Sequence, residues 1–278
     1  MAIAELASDL AAALDPVVLG QRCGLDPDPW QREVLRSTAP RVLLNCSRQS
    51  GKSTVSALLA LHTALYTPAA LVLMLSPSLR QSAELFRKAL DLYRALGRPV
   101  PAQAETSLRL ELESGSRIIS LPGSEATVRG YSSVTLLVVD EASRVEDTLY
   151  TALRPMVAVS QGRLIALSTP MGRRGWWWSA WESAEDWHRF RVPASQCPRI
   201  NKEFLEQERR TLAPWVFRRE YECEASETID QIFGYDVVMG ALAADVTPLF
   251  TPASPASSGD ATTEGKDGAV VALFAGGR

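Results

Sequence analysis

The stretch that decides the fold is RVLLNCSRQSGKST, residues Arg41 to Thr54. It begins with an apolar run, Val42 to Leu44, which is typical of a strand buried on both faces of a parallel sheet. Small and polar residues follow up to Gly51-Lys52-Ser53-Thr54, and apolar residues then recur at helical spacing. A strand, a glycine turn and a helix N-terminus gather free backbone N–H groups around one point. The stretch therefore predicts a phosphate-binding loop.

This loop departs from the general phosphate-loop pattern, G-x-x-x-x-G-K-[ST], because Cys46 occupies the position of the first glycine. Only Gly51-Lys52-Ser53 remains of the pattern, and such a triplet also arises by chance in surface turns. A surface turn requires neither a buried strand before it nor an amphipathic helix after it. The flanking segments therefore favour the phosphate loop.

The composition is that of a globular chain, with 278 residues of which 46% are hydrophobic. The net charge of -3 argues against a protein that coats nucleic acid non-specifically, but it leaves room for a local basic groove. No run approaches the roughly 20 apolar residues that span a bilayer, so we expect a cytoplasmic protein without a membrane partner. The four cysteines are scattered and the histidines number two, which disfavours a Cys/His zinc site.

A second stretch with chemical character is TLLVVDEAS, Thr135 to Ser143, an apolar strand that ends in Asp140 and Glu141. Carboxylates at the C-terminal end of a parallel strand lie where open α/β sheets bind ligands. There Asp140 and the loop hydroxyl of Ser53 can hold Mg²⁺, while Glu141 activates water. The alternative is an acidic pair that only begins the next helix. Two such stretches, each at a strand end, favour an ATPase.

Three further features accompany these stretches. Gln31, in DPDPWQREVLR, carries a carboxamide that matches the N6/N7 edge of adenine, or else it is a solvated helix residue. Ser168-Thr169-Pro170 ends another apolar strand and could sense a γ-phosphate, with helix capping as the alternative. Arg173 and Arg174 lie among tryptophans, a pattern that suits DNA contact but is more often core.

Together these residues resemble the large terminase subunit, the ATPase that packages double-stranded DNA into tailed-phage capsids. Ser47 to Ser53 is similar throughout to the family's variant loop, S-R-Q-x-G-K-S, and Trp30-Gln31 resembles its adenine-reading motif. Arg129-Gly130-Tyr131 resembles the segment before its acidic strand, and Ser168 to Pro170 resembles the motif that couples hydrolysis to DNA movement. Arg219 to Glu224 is similar to the stretch that closes the ATPase domain.

The resemblance implies an α/β fold, a P-loop NTPase of the additional-strand, catalytic-glutamate type. Its central sheet is expected to be mostly parallel and flanked by helices, with a small helical linker subdomain. We expect a leading helical segment in residues 1–27, the ATPase core in 28–196, the linker in 197–250 and a disordered, low-complexity tail in 251–278.

The resemblance also implies roles for individual residues, with ATP and Mg²⁺ as cofactors. The nucleotide-binding set is Gln31, Ser47, Arg48, Gln49, Ser50, Gly51, Lys52, Ser53 and Thr54. The catalytic set is Lys52 on the phosphates, Glu141 on water, Arg48 acting within the subunit and Arg129 reaching a neighbouring subunit, unless Arg129 serves a salt bridge. The metal set is Ser53 and Asp140, and the coupling set is Ser168, Thr169 and Pro170.

The partners implied are double-stranded DNA, the phage portal protein, the small terminase subunit and further copies in a homo-oligomeric ring on the procapsid, within the host cytoplasm. Family members also carry an RNase H-like nuclease after the linker, whereas here Phe250 is followed by 28 low-complexity residues. We therefore expect no nuclease activity, either from a truncated prophage gene or because another chain cuts the DNA. Open alternatives are a helicase-like ATPase and a degenerate product that binds nucleotide without motor activity.

Overall fold

The computed structural model describes residues 3–124, 128 and 130–225, which belong to one compact unit, Met1–Ile232. Within these residues, eight strands form one sheet. The strands are β1 Arg41–Cys46, β2 Leu71–Ser76, β3 Ala102–Glu105, β4 Arg109–Leu112, β5 Arg117–Pro122, β6 Leu136–Asp140, β7 Arg163–Ser168 and β8 His188–Val192. Arg129, the predicted linker beyond residue 225 and the predicted tail 251–278 lie outside the described residues.

Helices cover both faces of the sheet. They are α1 Ile3–Leu14, α2 Pro16–Arg22, α3 Pro29–Arg36, α4 Lys52–Tyr66, α5 Leu79–Ala95, α6 Asp147–Ala158, α7 Gly175–Glu182, α8 Lys202–Thr211 and α9 Pro214–Tyr221. Two short 3₁₀ turns, Ala142–Arg144 and Ala194–Gln196, follow β6 and β8. No helix of the described segments is both long and apolar enough to cross a membrane.

Alternate residues of the central strands enter two separate cores, as strand geometry requires. Val42 and Leu44 pack into the core beneath α2 to α5, whereas Leu43 packs into the opposite core beneath α6 and α7. The strands are therefore buried on both faces, and the apolar run that opens β1 correctly predicted this.

The strand order is β3-β4-β5-β2-β6-β7-β1-β8. Strands β5, β2, β6, β7, β1 and β8 run parallel, while β3 and β4 complete an antiparallel edge with β5. β7 lies between the loop strand β1 and the acidic strand β6, which confirms the predicted additional-strand P-loop class. Because β1, β6 and β7 are parallel, their carboxyl ends lie at one edge of the sheet.

Two strands were not anticipated from the sequence. β3 and β8 both lie at edges of the sheet, and their residues alternate between exposed and partly buried positions. Edge strands need no continuous apolar run, so their pattern is weak. The leading segment also differs in detail, since Pro16 begins α2 behind an Asp15 cap in addition to ending α1.

Candidate nucleotide-binding site

The loop between β1 and α4 has the backbone shape that an anion site requires. Gln49 and Gly51 both adopt the left-handed conformation, with φ of 60° and 91°. A Cβ atom at Gly51 would lie 2.8 Å from Gln31 Nε2 and 2.9 Å from Arg199 Nη2, so this position has no room for a side chain. α4 begins at Lys52, and its first N–H groups are therefore available to an anion.

The structure brings the loop and the acidic strand together. Ser53 Oγ lies 3.5 Å from Asp140 Oδ2, at the end of β6. Lys52, which is buried, places its Nζ 3.4 Å from Glu141 Oε1 and 3.3 Å from Thr169 Oγ1. Residues from three strand ends, β1, β6 and β7, therefore meet around one ammonium group.

The two carboxylates at the end of β6 differ in environment. Burial raises the pKa of Asp140 to about 6, and the neighbouring Glu141 carboxylate adds to this rise. Glu141 is more exposed and adopts a left-handed backbone conformation, with φ of 51°. Such a conformation costs a non-glycine residue on the order of 1 kcal/mol, and strain of this kind is concentrated at functional sites.

A hydroxyl network links the acidic turn to the predicted coupling motif. Ser143 Oγ lies 2.7 Å from Ser168 Oγ and donates to the carbonyl of Thr169 at 3.0 Å. The N–H of Ser143 donates to Ser168 Oγ at 3.2 Å. Because Ser143 follows Glu141 by two residues, a shift of the acidic turn is felt directly by the end of β7.

These residues surround a cavity of about 680 Å³, which falls within the usual range for small-molecule sites. The predicted residues that line it are Arg48, Gln49, Ser50, Gly51, Lys52, Ser53, Thr54, Glu141, Thr169 and Pro170. Ser47 and Ser168 are buried nearby in the strand ends. We call this space the phosphate cavity.

The sequence did not single out several other residues of the phosphate cavity. They are Gln81, Lys88, Arg144, Met171, Arg219 and Glu220. Gln81 and Lys88 are seven residues apart on α5 and so share one face, a signal that was available in the sequence. Glu220 forms an ion pair with the predicted catalytic Arg48, and its carbonyl accepts the Arg48 N–H at 3.0 Å.

Gln31 lies on the other side of the loop. Its Oε1 accepts the N–H of Asp28 at 2.8 Å, and its Nε2 lies 3.5 Å from the carbonyl oxygen of Ser50. Arg199 Nη2 donates to Asp28 Oδ2 at 2.8 Å and to the same carbonyl at 3.0 Å. A cavity of only about 40 Å³, here called the base slot, adjoins these side chains.

The tryptophans after β7 belong mainly to the core. Trp176 and Trp177 are buried, and Trp176 stacks on Tyr150 with ring centroids 4.0 Å apart. Arg173 lies 6.0 Å from the ring centroid of Trp178. DNA contact by Arg173 or by the neighbouring arginine stays a prediction.

The residues present fit Mg²⁺, because a serine hydroxyl and a carboxylate supply the oxygen ligands that this ion prefers. Ser53 and Asp140 provide these groups within 3.5 Å of each other. The phosphate cavity opens beside Ser53, where phosphate oxygens would complete the coordination.

Comparisons with known proteins agree with this geometry. Residues 43–236 match the family described as terminase large subunit, T4likevirus-type, N-terminal. The large terminase subunit of Thermus virus P23-45 is 25% identical over 168 residues, covering 54% of this chain and 35% of that protein. The corresponding protein of Thermus phage G20c is 24% identical with the same coverage. The match thus spans about a third of the length of these relatives.

Solved structures show the same fold. The ATPase domain of the Thermus phage P74-26 large terminase has a TM-score of 0.65 at 19% identity, covering 74% of this chain and 97% of that domain. The large terminase of bacteriophage HK97 has a TM-score of 0.59 at 14% identity, covering 72% of this chain and 51% of that protein. With the family match over residues 43–236, the conclusion is that this chain belongs to the terminase large-subunit family, T4likevirus-type, through its N-terminal domain.

Proposed function

We propose that this chain hydrolyses ATP and uses the free energy to drive double-stranded DNA into a phage procapsid. The observation that carries the proposal is the meeting of three motifs around Lys52, which contacts Glu141 at 3.4 Å and Thr169 at 3.3 Å. Family membership supports the packaging role over a helicase. The large terminase of another thermophilic bacteriophage has been solved with ADP and with ATP-γ-S, which supports a nucleotide in the same cavity.

The loop and Lys52 bind the phosphates in this proposal. Backbone N–H groups at the start of α4 face the phosphate cavity, and Lys52 exchanges its contacts with Glu141 and Thr169 for β- and γ-phosphate oxygens. Mg²⁺, held by Ser53 and Asp140, would neutralise charge that develops on those oxygens. Once Lys52 turns away, the Glu141 carboxylate is free to orient and deprotonate the attacking water.

Coupling to movement uses the hydroxyl network. Thr169 loses or regains its contact with Lys52 as phosphate binds and leaves, and Ser168 shares a hydrogen bond with Ser143 behind the acidic turn. The nucleotide state is thereby passed to the segment between β7 and α7. Bistable contacts of this kind convert small shifts into larger displacements.

The wider assembly is also part of the proposal. The partners are DNA, the portal protein, the small terminase subunit and further copies of the chain in a ring, in the host cytoplasm. In such a ring Arg129 would complete the site of a neighbouring copy. Residues 28–196 would form the ATPase core and 197–250 the linker.

Lys52→Ala tests this function. We expect DNA- and portal-stimulated ATP hydrolysis to fall at least about 100-fold, because a preorganised charge on the transferring phosphoryl group is lost. Glu141→Gln should lose hydrolysis to a similar extent while retaining ATP binding, and the exposed Lys202→Ala is the matched control.

Hydrolysis indifferent to Lys52 would sink the proposal. A strand-displacement assay separates the packaging motor from a helicase, since a motor for duplex DNA should leave the strands paired.

A further inference from the structure

We infer that Arg199 is the platform on which the base of the bound nucleotide stacks. This inference rests on the proposed function, in which the phosphates of ATP occupy the loop beside Gly51. Arg199 lies far along the chain from every nucleotide motif of the sequence, between β8 and α8. The structure places it at the loop.

The position of Arg199 follows from its contact with Gly51. Gln31 Nε2 and Arg199 Nη2 lie within 2.8 Å and 2.9 Å of the point where a Cβ of Gly51 would be. The two side chains therefore meet over the same residue. A purine ring whose edge is read by Gln31 has to contact the Arg199 guanidinium.

Arg199 is held in a fixed orientation. Its Nη2 donates to the buried carboxylate of Asp28 at 2.8 Å and to the carbonyl of Ser50 at 3.0 Å. The Arg199 side chain nevertheless remains 53% exposed. A planar guanidinium that is fixed along one edge and open to solvent is suited to stacking on an aromatic ring.

The base slot explains why the ring lies on Arg199 rather than beneath it. Apolar side chains such as Pro27 and Val55 line the slot, and its volume is about 40 Å³. That space holds about one water molecule, whose share of liquid volume is roughly 30 Å³. A purine is several times larger, so the closed slot leaves the outer side of Arg199 as the surface for the base.

A purely structural role for Arg199 makes a different prediction. If Arg199 only braced Asp28 and Ser50, its removal would disturb the loop and weaken every ligand of the loop. If Arg199 stacks on the base, its removal should weaken ATP but spare inorganic tripolyphosphate, which has no base. The two ligands therefore separate the two roles.

The experiment measures equilibrium binding of ATP and of tripolyphosphate to the full chain and to Arg199→Ala. We expect ATP affinity to fall about tenfold and tripolyphosphate affinity to change by less than about twofold, as befits the loss of one stacking contact. Arg199→Lys should retain only part of the ATP affinity, because an ammonium group offers no flat surface.

Two further variants protect the interpretation. Arg36→Ala removes a comparable partly exposed pair, Arg36 with Asp15 at 2.7 Å, and should leave both affinities unchanged. The double variant Asp28→Asn with Arg199→Met removes both charges, so that no unpaired carboxylate is left buried, and should show the same selective loss of ATP affinity.

Equal weakening of ATP and tripolyphosphate, or unchanged ATP affinity, would overturn the inference while leaving the proposed function in place. A wild-type chain that binds neither ligand would overturn both.

Discussion

The two sides of the loop around Gly51 are built in opposite ways. On one side the phosphate cavity offers about 680 Å³, lined by charged and hydroxyl groups from several strand ends. On the other side the base slot offers about 40 Å³ between apolar side chains, with Gln31 and Arg199 at its edge. The phosphate side is open and polar, and the base side is closed.

This difference separates chemistry from affinity. Lys52 and Glu141 are paired with each other on the phosphate side, and they exchange partners when phosphate enters. Gln31 and Arg199 are fixed by Asp28 and Ser50, which lie outside the path of the reaction. Substitutions on the phosphate side should therefore change turnover, and substitutions on the base side should change binding.

The largest expected effect is at Arg48, on the phosphate side. Arg48→Ala should lower the rate of ATP hydrolysis by about 10³-fold while nucleotide binding is retained, because an arginine that stabilises transition-state charge contributes at least this much. Single-turnover hydrolysis together with binding of a fluorescent ATP analogue checks both parts.

Two variants near Arg48 sharpen this result. Glu220→Gln removes the ion partner of Arg48 but leaves the arginine, so hydrolysis should persist. Arg209→Ala removes a similar pair in the same helical segment, Arg209 with Glu222 at 2.7 Å, and serves as the matched control. Loss of ATP binding in Arg48→Ala would assign Arg48 to affinity and break the comparison.

The next effect concerns the stability of the phosphate side. Asp140 is buried and its pKa is raised from 3.8 to about 6, so its ionised form destabilises the folded chain at neutral pH. A difference of this size corresponds to roughly 3 kcal/mol. Asp140→Asn should therefore raise the free energy of unfolding by up to about 3 kcal/mol at pH 8, while hydrolysis is lost.

The sign of this effect reverses the usual behaviour of a carboxylate. As pH falls through about 6, the folded wild-type chain takes up the proton before the unfolded chain does, so its free energy of unfolding rises. The advantage of Asp140→Asn should thus shrink between pH 8 and pH 4. Urea denaturation across this range, with the exposed Asp186→Asn as control, checks the trend. A pH-independent difference would contradict it.

The phosphate side was largely predictable from the sequence. The strand, loop and helix of Arg41 to Thr54 are contiguous, and Asp140 and Ser168 both follow apolar runs that could only be strands. Parallel strands bring their carboxyl ends to one edge, so the sequence order of these motifs was enough to bring them together.

The base side was not predictable to the same degree. Arg199 is 149 residues from Ser50 along the chain, and the arginine is preceded by an edge strand with a weak pattern. No local periodicity indicates which surface arginine returns to a distant loop. Glu220 was hidden for the same reason, although Arg219 to Glu224 resembled the family stretch.

The smallest expected effect lies at Gln31, on the base side. Its carboxamide can accept from N6 and donate to N7 of adenine, whereas guanine presents acceptors at both positions. Gln31→Ala should therefore weaken ATP about tenfold, a loss of about 1.4 kcal/mol, with little effect on tripolyphosphate. Competition of ATP, GTP and tripolyphosphate against one fluorescent nucleotide gives all three affinities.

Gln31 also accepts the N–H of Asp28 at the start of α3, so alanine removes a helix cap as well as the base reader. Gln31→Glu separates the two roles, because a carboxylate still accepts that N–H but cannot donate to N7. Both variants should lose the preference for ATP over GTP, and Gln31→Ala alone should lower the thermal midpoint. If Gln31→Glu kept the full preference for ATP, Gln31 would be a structural cap and Arg199 alone would hold the base.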